Sequence, residues 1–306
     1  MKTKKLLPLL TVLLTVLLTL AACGGDGDDI IVQHNTQKSG NTVVNNNRNL
    51  IGPLEAQTRY EFPKLQGGNS EAIIHSTVTY GMNYALEWDH QKRATRWVCW
   101  RMDATNRQER YSRPAEDPWA YDPLVPENEQ QATYSELSKS YYPETNSYYQ
   151  KGHICASQDR IYDKEANYQT FYMTNIMPQV GNFNEKIWLE LEKQVRTWGK
   201  TCDTLYICKG GTIDRADYII NYTIGNHIVP KYFFVALLRK SFNDINAIAF
   251  WMPHLDEDHS RDPLRGYAIK VDRLEELTGI DFFCNLPDDI EDMVESKMTP
   301  SEWGLK

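Results

Sequence analysis

Short runs of apolar and β-prone residues, each bounded by turn formers, recur at 73–80, 83–89, 96–102, 171–173, 204–207, 228–238, 247–253 and 267–271. Runs of this length and composition predict strands. Between them, Ile187, Trp188, Leu191 and Val195 fall three and four apart with charges on the other side, which predicts an amphipathic helix over 183–198. Two more helices are expected at 271–278 and 288–297. Long strands with few helices define an α+β chain, a mixed but mainly antiparallel β-sheet core with flanking helices.

The N-terminus follows neither pattern. Lys2, Lys4 and Lys5 precede an apolar stretch from Leu6 to Ala22, and small residues lead to Leu20-Ala21-Ala22-Cys23. The stretch is at the short end of what spans a bilayer and is followed at once by glycines and acids, so it reads as a secretory signal. Cys23 after Leu-Ala-Ala resembles a bacterial lipobox, which implies cleavage before Cys23, lipidation of its thiol and a place in the cell envelope. Gly24–Asp29 and the asparagine-rich tract 41–49 cannot bury enough apolar surface to order themselves, so residues 23–55 are expected to be a lipidated cysteine and a flexible polar tether. The acidic run resembles the surface-export signals of Bacteroidetes lipoproteins; a merely solvated leader accounts for it equally. Residues 56–306 are then expected to be one domain, since neither an internal repeat nor a second linker interrupts them.

Charge narrows the chemistry. The formal net charge is −8, and loss of the three leader lysines takes it to −11. Such a chain excludes broad electrostatic adhesion to nucleic acid, so any polyanion site must be a local basic patch, with Lys151, Arg160, Lys186, Arg196, Arg110 and Arg113 as candidates. Five cysteines remain besides Cys23: Cys99, Cys155, Cys202, Cys208 and Cys284. An odd number leaves at least one thiol free or paired in trans. Cys202 and Cys208 would lie about 20 Å apart on an extended strand and should not pair unless the chain turns between them; pairing with Cys284, or of Cys99 with Cys155, stays open.

Residues 150–196 hold the densest chemistry. Gly152 permits close backbone approach beside His153, whose imidazole titrates near neutrality and suits deprotonation of water. Asn184 stands where a helix cap is ordinarily found. Glu192, eight residues on, projects from broadly the same helix face, and Arg196 is spaced to pair with it. His254 and His259 sit in an acidic stretch with no third ligand in view, better read as a surface loop than as a metal site. Tyr141, Tyr142, Tyr148 and Tyr149 suit base stacking and sheet burial equally.

Taken together, Gln150-Lys151-Gly152-His153, Thr174-Asn175-Ile176-Met177-Pro178-Gln179 and Asn184-Glu185-Lys186-Ile187-Trp188-Leu189-Glu190-Leu191-Glu192 resemble the signature of the DNA/RNA non-specific endonucleases of the ββα-metal type. The resemblance covers roughly residues 70 to 297. It implies a ββα-metal active-site motif, a Mg²⁺-dependent hydrolase (Mn²⁺ also serving) that cuts DNA and RNA to 5′-phosphate products, and a role for each matching residue. His153 would be the general base, Asn184 the direct metal ligand, and Glu192 an outer-sphere carboxylate. Arg196, Lys151 and Arg110 would contact phosphate, and Asn175 would support the site. The chain departs from the family at Gln150-Lys151, where Asp-Arg is usual. Lysine lacks the planar fork that grips phosphate, so a catalytically weak nucleic-acid-binding or structural lipoprotein of the same fold is the alternative.

Overall fold

The computed structural model describes residues 44–50, 55–130 and 137–306. In chain order the strands are β1 (Ser70–Thr77), β2 (Gly81–Asp89), β3 (Ala94–Met102), β4 (Tyr149–His153), β5 (Ile176–Val180), β6 (Thr204–Gly211), β7 (Ile219–Tyr222), β8 (Ile228–Pro230), β9 (Tyr232–Ser241), β10 (Asp244–Pro253) and β11 (Ala268–Ile269). Seven of them form one sheet in the order β1-β2-β3-β6-β9-β10-β11, with every pairing antiparallel. β4 with β5 and β7 with β8 make two small antiparallel pairs outside it.

Strand alternation sends side chains to both sides of this sheet, and both sides are covered. On one side Val98, Trp100, Leu205, Ile207, Val235 and Phe250 join a core with Phe183, Ile187, Trp188, Leu191 and Val195 of the helical segment. The opposite side carries Trp97 and Phe234, whose rings meet Phe62 and Phe282 edge-on at 5.9 and 5.8 Å. Helices Val271–Thr278 and Asp288–Glu295 pack against β10 there. The mainly antiparallel α+β architecture is as the residue pattern predicts.

Differences in detail have local causes. Residues 171–173 are not a strand; the chain turns through Met173–Asn175 and enters β5 only at Ile176. The run 228–238 is two strands, because Pro230 ends β8 and the chain passes from the small pair into the large sheet. Asn45, Asn47 and Asn49, read as tether, are docked. Asn49 is buried and donates to Pro63 O at 2.9 Å, while Asn47 donates to Glu291 Oε1 at 2.7 Å, so these amides satisfy groups of the folded unit. Cys99, Cys155, Cys202, Cys208 and Cys284 are all free and buried. Cys23 and the rest of residues 1–43 lie outside the described residues.

Candidate active site

Gly152 fixes the floor of the site. In the β4–β5 pair a Cβ at this position would come within 2.2 Å of the buried Gln179 side chain, so only glycine allows the two strands to approach as they do. That approach delivers Lys151 and His153 from the end of β4 into a cavity of about 700 Å³. Its opposite wall comes from one wide π-helical turn, Phe183–Trp188, running into helix Leu189–Lys200. Asn184 lies on the wide turn, and Glu192 and Arg196 lie on the helix. All five residues line the same cavity.

His153 stands between two aromatic rings, with Trp119 at 5.2 Å and Phe171 edge-on at 5.1 Å. This envelope leaves part of the ring open to the cavity, yet its Nε2 is buried with no hydrogen-bond partner. Burial, and then the nearby Arg113 cation, push its pKa down to about 3, so the imidazole stays neutral and able to accept a proton. The same rings carry the flanking cations: Lys151 Nζ lies 5.1 Å over Trp119 and the Arg113 guanidinium 5.1 Å over Phe171.

Asn184 is oriented by Gln150. Its Nδ2 donates to Gln150 Oε1 at 2.7 Å, and Gln150 Nε2 in turn donates to Glu185 Oε1 at 2.6 Å. Gln150, the departure from the usual Asp, therefore bridges β4 to the wide turn and directs the Asn184 carbonyl oxygen away from itself. Glu192 is buried at the cavity wall, with Lys209 Nζ at 3.7 Å. Lys209 is fully buried, has no hydrogen-bond partner, and lies 5.3 and 5.2 Å over the rings of Trp100 and Trp188. Burial raises the Glu192 pKa, and Lys209 opposes that rise. Arg196 does not pair with Glu192 as its spacing suggests; its Nη1 donates to the buried Asp159 at 2.9 Å, which holds the guanidinium charged despite burial.

Two expected site residues are placed elsewhere. Arg110 does not line the cavity: its backbone N–H is held by Ile161 O at 3.0 Å, and its side chain turns to the Tyr80 hydroxyl. Arg113 takes its place, carried in by a loop that bridges Ala120 to Phe171 and Met173 and braced by Asp117 at 2.7 Å. Asn175 is wholly buried behind the site. Its Oδ1 accepts from Cys155 N at 2.8 Å and its Nδ2 donates to Cys155 O at 2.9 Å, so it clamps the backbone just past His153 and touches nothing in the cavity. Among the other basic-patch candidates, Arg160 is fully buried against Trp100 and Tyr162, and Lys186 pairs with Asp258 outside the cavity.

His254 is not in a surface loop. It is buried, its Nε2 accepts from Val180 N at 2.8 Å and its Nδ1 donates to Pro230 O at 2.8 Å, which ties β5 to β8. The tyrosines divide: Tyr142 and Tyr149 are buried, while Tyr141 and Tyr148 form an exposed, tilted ring pair at 4.5 Å. Trp119, Asp159 and Lys209 escaped the reading of the residues. Lys209 had a signal, a lone charge inside an apolar strand; Trp119 and Asp159 had none.

The two short strands and the helix that enclose this cavity, with a neutral histidine facing an asparagine and a carboxylate, define a ββα-metal nuclease fold. The model of the DNA/RNA non-specific endonuclease family matches residues 69–289. The chain belongs to that family and is an endonuclease. A nuclease from Nostoc sp. strain PCC 7120 is 30% identical over 226 residues, 70% of this chain and 76% of the relative. Mitochondrial endonuclease G from Bos taurus is 29% identical over 161 residues, 48% of this chain and only 54% of the relative, so the match spans about half of that protein. Among solved structures, a chain of the EndoG/EndoGI complex superposes with a TM-score of 0.56 at 22% identity, covering 70% of this chain and 86% of that one. This last likeness concerns the fold.

Proposed function

We propose that the cleft hydrolyses phosphodiester bonds of both DNA and RNA, with little sequence preference and with 5′-phosphate products. The observation that supports this most is the meeting of His153, Asn184 and Glu192 in one cavity rimmed by Lys151, Arg113 and Arg196. Cations that grip phosphate read no bases, which accounts for low sequence preference. In this reading water attacks phosphorus, the neutral His153 takes its proton, and the bond to the 3′ oxygen breaks, leaving phosphate on the 5′ side.

The donor set fits a hard divalent cation. Asn184 offers a neutral carbonyl oxygen, steered by Gln150, and Glu192 a carboxylate across a cavity roomy enough for water, which suits an ion that keeps most of its hydration. When bound, Mg²⁺, or Mn²⁺ in its place, would polarise the phosphate and stabilise charge on the leaving oxygen. Glu192 would then orient water in the site, and Gln150 and Asn175 act as positioning residues for Asn184 and for the backbone beside His153. Purified protein is expected to nick plasmid DNA and degrade RNA with Mg²⁺ and to lose both activities with chelator. Intact substrates after long incubation at high enzyme, across several divalent ions, would instead favour the catalytically weak binding protein.

The same proposal places the enzyme in the bacterial cell envelope, held to the membrane by lipid on Cys23. The basis is the Lys-rich start, the apolar stretch and Leu-Ala-Ala-Cys. Cys23→Ser should release the protein from membranes or block its maturation; unchanged fractionation and migration would remove the anchor from the proposal.

A further inference from the structure

The face of the sheet away from the cleft carries a group of carboxylates with no part in the chemistry above. Helices Val271–Thr278 and Asp288–Glu295 pack on β10 and on each other. They bring one side-chain oxygen each of Asp272, Glu275 and Glu295 within 4.8 Å of one another. Glu295 is only 5% exposed, and its Oε1 is buried without any hydrogen-bond partner. Glu275 accepts the Phe282 backbone N–H at 2.7 Å, and the nearby Asp281 and Glu291 accept from Asn47 at 3.2 and 2.7 Å. After burial, the groups that act on Glu295 are all acids, namely Glu275, Glu291, Asp281 and Asp272, and together they push it up to about 11. A buried carboxylate among like charges needs either a proton or a cation.

We infer that Asp272, Glu275 and Glu295 form a second cation site, separate from the catalytic one, that takes a divalent ion of the Ca²⁺ type and locks the two C-terminal helices onto the sheet. Ca–O distances of about 2.4 Å let one ion reach oxygens up to about 4.8 Å apart, which is the limit of this cluster. Asp272 is exposed, so water completes the shell on the open side, as Ca²⁺ tolerates and the strict octahedron of Mg²⁺ does not favour. The orphaned Glu295 oxygen gives the ion its buried ligand. The packing of these two helices on each other and on β10 is thereby made dependent on the ion.

Thermal unfolding of the full chain, with EDTA and with millimolar CaCl₂, tests this. Ca²⁺ is expected to raise the Tm of the wild type by about 5 °C, as tight binding to the folded state alone requires. In Glu295→Gln that rise should vanish, because a neutral amide replaces the carboxylate that would hold the ion. Asn184→Ala, which alters only the cleft, should keep the full rise. If Glu295→Gln does not fold, the exposed Asp272→Asn should show a reduced rise. No rise in the wild type, or an equal rise in the wild type and the cluster variants, would overturn the site and leave the cluster held by protons alone.

Discussion

The cleft and the acidic cluster on the two C-terminal helices treat buried charge in opposite ways. In the cleft two buried acids each have a cation: Asp159 holds Arg196 at 2.9 Å, and Glu192 faces Lys209 at 3.7 Å. On the far side Glu275, Glu291 and Glu295 sit among other acids, and burial followed by that crowding drives Glu275 up to about 8. The difference shows what each region is built to do. Pairing in the cleft keeps charged groups charged and fixed, and leaves one group, His153, neutral among aromatic rings. At Glu275, Glu291 and Glu295 no ion pair among the described residues supplies such a solution.

The largest expected effect removes that neutral group. His153→Ala should lower the rate of DNA and RNA cleavage by about 10²–10⁴ while the folded protein still binds divalent metal. Asn184→Ala should instead weaken metal affinity, with activity partly restored at high Mg²⁺. Near-normal turnover in His153→Ala would sink the assignment of the base. The pH profile adds a sharper reading. Because His153 is held down to about 3, it stays unprotonated across the usual acid range, and the acid limb of kcat/KM should report Glu192, whose pKa burial raises.

Lys209→Met makes the cleft resemble the far side, since it leaves Glu192 buried without its cation. Removing one partner of a buried pair should cost on the order of 3 kcal/mol of stability, read as a lower denaturant midpoint. Glu192 would then titrate higher still, so the acid limb of kcat/KM should move toward neutral pH. A Lys209→Met enzyme with an unmoved acid limb would show that Lys209 is structural filling and no positioning residue for Glu192.

How much of this was legible in the residues depended on whether the signal was local. The β1–β3, β6, β9 and β10 runs and helix Val271–Thr278 announce themselves by period, because one face of each element is buried. The strands β4 and β5 do not: Tyr149–His153 is polar and Ile176–Val180 contains Pro178, and they become strands only by pairing with each other across Gly152 and Gln179. His153, Lys151, Asn184, Glu192 and Arg196, which all line the cavity, could be singled out because they lie within short segments of one stretch, 150–196. Both Arg110 and Arg113 were candidates for the basic patch, and the bridge from Ala120 to the Phe171–Met173 turn brings Arg113, not Arg110, to the cavity. Asp159 and Lys209 were missed because each matters through a partner distant in sequence.

The smallest expected effect tests the departure that first set this chain apart. Lys151 lies over Trp119 at 5.1 Å, and burial lowers its pKa, with Asp117 acting against that fall. Its stem is therefore already packed at the rim, and its charge is a single point rather than a fork. Lys151→Arg keeps the cation on the same ring and adds a second parallel N–H for phosphate. The expected result is an unchanged fold and a kcat/KM that holds or rises by no more than about tenfold, the range of one improved charged hydrogen bond. Since Gln150 already orients Asn184, no accompanying change at position 150 should be needed. If Lys151→Arg alone abolishes cleavage while Lys151→Arg with Gln150→Asp restores it, positions 150 and 151 act as a coupled pair, and the bridge from Gln150 to Asn184 is not the independent support described above.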